Sequence, residues 1–187
     1  MFVDGSNMLI EMFASVGATH KADRPSDAAI NLAKAILAKA SAPFSRDHEI
    51  GSMRLVRRYW FGSVQGSSDD LESRRTTLHR AGFDATLFHK VKGRDEKGVD
   101  LAVAREMLIQ AFFKNYEVAH LVAGDEDYVG LVQDLKRLGV VVVGMFYESA
   151  ALSPKLRLAF DYFQPLQSLE HEQPELVRLV RESPGVA

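Results

Sequence analysis

Short runs rich in β-forming residues alternate along the whole chain with stretches whose apolar residues return at helical spacing. That alternation constrains the fold more than any other feature. Strands joined through helices run parallel, and a parallel sheet is covered by helices on both faces. The strand-like runs are Met1–Asp4, Met53–Val64, Phe83–Val91, Glu117–Ala123 and Val140–Phe146, with a last short one near Tyr162. Val140–Phe146 is apolar toward both faces, as a central parallel strand should be. The pattern predicts a three-layer α/β/α sandwich around a mostly parallel sheet.

The connections read as follows. Gly5 is placed to turn the chain after the first strand, and Glu11 to Pro25 reads as a polar stretch. Ser26 then caps a helix with Ile30, Ala33, Ile36 and Leu37 on one face. Ser67 or Ser68 starts a helix that ends at Gly82, and Leu101, Ala104, Leu108, Ala111 and Phe112 mark another between Val99 and Lys114. Further helices are expected over Asp127–Leu138, stopped by Gly139, and over Pro154–Phe160. A length of 187 residues suits one domain, expected over residues 1–165. Residues 166–187 form a tail in which Leu176, Val177, Leu179 and Val180 predict a short amphipathic helix, serving as a clasp on its own domain or as a partner-binding element.

Composition narrows the function. No apolar run approaches the ~20 residues of a membrane span, and Asp4 and Asn7 interrupt any signal peptide, so no membrane partner is expected and the cytoplasm is the expected location. Without cysteine there is no disulfide framework and no thiolate metal site, so a metal would take oxygen or histidine ligands. His48, His79, His89, His120 and His171 show no ligand spacing. A net charge of −2 argues against a protein that coats nucleic acid. Between Arg54 and Lys97, however, basic residues outnumber acidic ones, which predicts a local basic face.

In an open α/β sheet, functional groups collect beyond the carboxyl ends of the strands. Four aspartates fall there. Asp4 ends the first strand, Asp100 opens a helix after the loop Lys92–Gly98, and Asp125 and Asp127 follow the strand ending at Ala123. Each also has a plain structural reading as a turn, a helix cap or a favourable first-turn charge. If the first and fourth strands are neighbours, the four carboxylates share one cleft, and their repulsion calls for a cation. A hard, oxygen-rich site of this kind selects Mg2+ or Mn2+, which activates water for attack on a phosphodiester. Asn7 reads either as a ligand-holding residue or as a cap of the next turn.

The stretches Phe2-Val3-Asp4-Gly5-Ser6-Asn7, Lys97-Gly98-Val99-Asp100 and Leu121-Val122-Ala123-Gly124-Asp125-Glu126-Asp127-Tyr128 resemble, in order and spacing, the three acidic motifs of NYN domains, which are PIN-like nucleases. The resemblance runs from Met1 to about Phe163. It implies a sheet of order 3-2-1-4-5 and a metal-dependent ribonuclease whose partner is RNA. Asp4, Asp100, Asp125 and Asp127 match the acidic positions, and Asn7 matches the family's asparagine. Glu106 stands where many members carry a further aspartate in the same helix. The third motif often reads Gly-Asp-Ser-Asp, where this chain has Glu126.

Lys90, Lys92, Arg94 and Lys97 precede Asp100 and are candidates to grip RNA phosphates, or else form a solvated turn offset by Asp95 and Glu96. His20, Lys21 and Arg24 are candidates for a substrate wall. Tyr59, Trp60 and Phe61 alternate faces of a strand and read as core rather than as a base-stacking platform. Two other functions fit less of the sequence. A catalytically silent RNA-binding or regulatory module would keep the acidic cleft without cutting. A haloacid dehalogenase-type phosphatase would need a second carboxylate two residues after Asp4, where this chain has Ser6. The oligomeric state is open between monomer and homodimer.

Overall fold

The computed structural model describes residues 1–19, 22, 24–41, 55–90 and 98–183. The elements run β1 (Phe2–Asp4), α1 (Gly5–Val16), α2 (Asp27–Ala40), β2 (Tyr59–Val64), α3 (Ser68–Arg80), β3 (Asp84–His89), α4 (Val99–Phe112) and β4 (Val118–Val122). A 3-10 turn (Glu126–Tyr128), α5 (Val129–Arg137), β5 (Val141–Phe146), α6 (Pro154–Ala159), β6 (Tyr162–Pro165), α7 (Gln167–Glu170) and α8 (Pro174–Glu182) follow. The six strands form one sheet of order β3-β2-β1-β4-β5-β6, and every pairing is parallel. The expected order 3-2-1-4-5 is therefore present, with β6 added beyond β5.

Two apolar cores cover the sheet. On one face Val3, Trp60, Val122 and Val143 pack against Met8, Met12 and Phe13 of α1 and Ile30, Ala33 and Leu37 of α2. On the other, Phe2, Phe61, Leu121 and Val142 meet Val103 and Met107 of α4, Val132 and Leu135 of α5, and Leu156 of α6. The strands alternate between these cores because successive side chains point to opposite faces.

The clearest departure from the sequence reading comes directly after β1. Gly5–Val16 is a helix, not a turn followed by a polar stretch. Met8, Leu9, Met12, Phe13 and Val16 form a buried stripe at helical spacing, while Glu11 and Ser15 interrupt it only on the outer side. Asp4 caps the start of α1, and Gly17, at φ 69°, ends it in the left-handed conformation that glycine adopts without strain. The second strand is shorter than expected, beginning at Tyr59, because β1 and β3 offer partners only from Phe2 and Asp84, which both pair with Tyr59. The part of the expected strand over residues 53–54 lies outside the described residues. The expected helix over Asp127–Leu138 is divided into the 3-10 turn and α5.

Beyond β6 the chain packs back on its own domain. Val180 of α8 is fully buried, and Leu176 and Val177 pack on the same core as α1 and α2. Arg181 Nε donates to the Val16 carbonyl at 2.6 Å, Ser15 Oγ donates to Glu170 Oε2 at 2.6 Å, and Lys39 pairs with Glu172.

Candidate active site

The central strands β1 and β4 lie side by side, so the chain leaving each one opens onto the same rim. Two glycines allow the close approach there. A side chain at Gly5 would run into the Trp60 indole at 2.2 Å, and one at Gly124 into the Phe146 ring at 2.3 Å. The two exits are tied together by Asn7, whose Oδ1 accepts from the Gly124 N–H at 3.0 Å. Asn7 thus uses its side chain to hold β4's exit against α1, while its own N–H donates to Asp4 Oδ1 at 3.0 Å.

Asp4 is only 4% exposed. One carboxylate oxygen caps α1 through the Asn7 N–H, where the helix dipole favours negative charge. The other faces Tyr128, whose hydroxyl lies 2.9 Å from Asp4 Oδ2 and 3.1 Å from Asp100 Oδ1. The fold therefore brings Asp4 and Asp100 to one phenol, although they lie in different elements separated by most of the domain. A phenol carries a single proton, so one donor serves two acceptors. Burial, with the charges of Asp4 and Asp100, pushes the Tyr128 phenol far above its usual range, so it remains a neutral donor.

Asp100 stands in the first turn of α4, exposed, after Gly98, which is left-handed at φ 95°. Asp125 and Asp127 are exposed on the loop that leaves β4. Asp125 caps the 3-10 turn, its Oδ1 accepting from the Asp127 N–H at 3.3 Å. Glu126 turns away to Lys155 Nζ at 2.6 Å and Ser153 Oγ at 3.3 Å, and the lysine holds its carboxyl below the usual range.

Glu106 is not brought to this rim. Six residues along α4 from Asp100, or about 9 Å, it accepts from Gln110 Nε2 at 2.7 Å, and its charge acts on Tyr116 and Arg57. Lys90 follows β3, its N–H donating to the Val64 carbonyl at 3.0 Å. Lys92, Arg94 and Lys97 lie outside the described residues, as do His20 and Lys21. Arg24 Nε donates to the Gln65 carbonyl at 3.3 Å. Trp60 and Phe61 are core residues, 3% exposed each.

The residue that sequence reasoning left without a role is Tyr128. A signal was present: it is a large aromatic directly after an Asp-Glu-Asp run, so its ring is drawn into the core while its hydroxyl requires a polar partner there.

Among the described residues, no group of three or more His, Asp or Glu side chains stands in a metal-ligating arrangement. The pair Asp4 and Asp100 fits a more limited role. Both side chains offer oxygen donors only, the donor type that a Mg2+-class ion would take.

Comparison with known proteins agrees with this geometry at the level of fold and family. The chain is similar to a crystal structure of a protein of unknown function from Vibrio parahaemolyticus RIMD 2210633, with a TM-score of 0.59 and 16% identity over 88% of this chain and 90% of that one. No curated protein matches it in sequence. A family model described as the NYN domain matches residues 1–167. With the motifs in that span and the sheet order described above, the chain belongs to the NYN domain family of PIN-like nucleases.

Proposed function

We propose that the protein is a metal-dependent endoribonuclease that hydrolyses RNA phosphodiester bonds at the Asp4–Asp100 rim. The observation that carries this reading is the meeting of those two carboxylates at the Tyr128 hydroxyl, at the carboxyl ends of adjacent central strands. Two carboxylates placed together around a neutral donor are oxygen donors of the kind that a divalent cation such as Mg2+ or Mn2+ takes. Asp4 and Asp100 would hold Mg2+ or Mn2+ directly, and Asp125 and Asp127 would reach it through its water. Such an ion supplies a more acidic bound water and a positive charge beside the phosphate.

The chain's own residues do the rest. Asp4 is fixed by its cap on α1 and by Tyr128, so its carboxylate is held in one position at the end of β1. Asn7 holds the β4 exit, and with it Asp125 and Asp127, at a constant distance from β1. Lys90 stands at the end of β3 on the same side of the sheet, where an RNA backbone entering the cleft would pass.

A second reading, a silent RNA-binding or regulatory module, is favoured by the structural use of both Asp4 oxygens, one accepting from the Asn7 N–H and the other from the Tyr128 hydroxyl. One assay separates the two. Purified protein should cleave mixed single-stranded and structured RNAs with Mn2+ or Mg2+ and not with EDTA, and Asp4→Asn should lower the rate by about a hundredfold or more while the circular dichroism spectrum is unchanged. RNA binding without cleavage under every metal condition would favour the silent module.

A further inference from the structure

The outer surface of α4 is apolar where a solvent-facing helix is ordinarily polar. Leu101 and Phe112 are each 73% exposed, Phe113 at the helix cap is 67% exposed, and Ile109 is 37% exposed. Leu101, Arg105 and Phe112, at spacings of four and seven, form one stripe opposite the buried Val103 and Met107, and Leu108 between them is half-buried against the core. Arg105 is the exposed charge within the stripe. The phenyl rings of Phe112 and Phe113 pack edge to face at 5.6 Å, which gives the end of the stripe a broad aromatic tip.

From this geometry we infer that α4 is the contact surface of a homodimer, packed antiparallel against α4 of a second copy. The stripe complements itself: Leu101 at one end meets Phe112 at the other when two copies are related by a two-fold axis near the middle of the helix, with the small Ala104 beside the crossing. Arg105 is then long enough to lie over the partner's Phe112. Among the described residues of this surface there is neither the basic run that nucleic acid requires nor the acidic run that a basic peptide requires. Its four large apolar residues offer on the order of 500 Å² per copy, the greater part of the ~800 Å² that each member of a stable pair buries.

Antiparallel pairing has a consequence for the site. Asp100 opens α4 and Phe112 closes it, so each copy's aromatic pair sits at the N-terminal end of the partner's α4, near its Asp100. This consequence rests on the nuclease reading; the dimer itself does not.

The test is light scattering after size exclusion, in EDTA and without RNA, so that its outcome is independent of catalysis. The wild type should run at twice the chain mass of 20.8 kDa at micromolar concentration. Phe112→Glu should run as a folded monomer, with association weakened at least about tenfold. Because the chain has no cysteine, single replacements report the orientation under oxidation. Arg105→Cys, close to the axis, should cross-link to itself, and Leu101→Cys should not. A monomeric wild type, a Phe112→Glu variant that remains dimeric, or self-cross-linking of Leu101→Cys would overturn the inference. A dimer that cleaves no RNA would leave this interface standing and remove the nuclease reading instead.

Discussion

The rim at the carboxyl ends of β1 and β4 and the region around the C-terminal end of α4 use polar side chains in opposite ways. At the carboxyl ends of β1 and β4, Asn7 binds Gly124 and Tyr128 binds Asp4, joining residues 117 and 124 positions apart. Around the C-terminal end of α4, Tyr116 donates to Met107 at 2.6 Å, Gln110 to Glu106 at 2.7 Å and Asn115 to Gln110 at 2.6 Å, all within nine positions. Local bonds of the second kind satisfy groups where they stand. Bonds of the first kind fix the relative position of distant elements, and that is what a site assembled from several motifs needs. Helix α4 runs from one region to the other, so one helix delivers Asp100 to the rim and keeps Glu106 in the local network.

The sharpest way to break this comparison is to exchange the two acids' roles by mutation. Asp100→Asn should reduce RNA cleavage by about a hundredfold or more, whereas Glu106→Gln should leave the rate within about threefold, measured as kcat/KM with Mn2+. Equal losses in both variants would mean that the site extends further along α4 than the geometry indicates.

A smaller effect is expected at the tie between the two strand exits. Asn7→Ala leaves the buried Gly124 N–H without its acceptor, which should cost about 1–3 kcal/mol in urea unfolding. It should also lower cleavage, because Asp125 and Asp127 lose their fixed position. An unchanged unfolding midpoint would show that another acceptor takes over.

The region around Tyr116 should reveal itself through pH. His120, 7% exposed beside Phe2, Tyr59 and Tyr116, has its imidazole pulled down by burial to about 4. The unfolded chain takes up its proton near pH 6.5, so between about 6.5 and 4 it binds more protons than the folded one, and stability falls as pH falls through that window. The loss attributable to this group is at most roughly 3 kcal/mol. His120→Gln should flatten the thermal unfolding profile over the same range, and an identical slope in both proteins would place the acid sensitivity elsewhere.

How far these differences could be read from sequence follows from the range of the interactions. The sheet was legible because alternation is a local pattern; Val141–Phe146 and Val118–Val122 carry it in a few consecutive residues. Helix α1 was obscured because Glu11 and Ser15 mask a buried stripe that only its periodicity of 3.6 exposes. At the rim, the motifs located Asp4 and Asp100, but nothing local to Tyr128 indicates that its hydroxyl reaches both. Asn7's double role was hidden for the same reason, since its partner is 117 residues away.

The central claim is that Asp4 and Asp100 together hold a divalent cation, and it is tested most directly by Mn2+ binding in the absence of RNA, followed by the loss of the free-ion paramagnetic resonance signal. The wild type should bind Mn2+ in competition with Mg2+, and the folded Asp4→Asn and Asp100→Asn proteins should each bind it at least about tenfold more weakly. Binding that is absent in the wild type, or equally strong in both variants, would contradict the account.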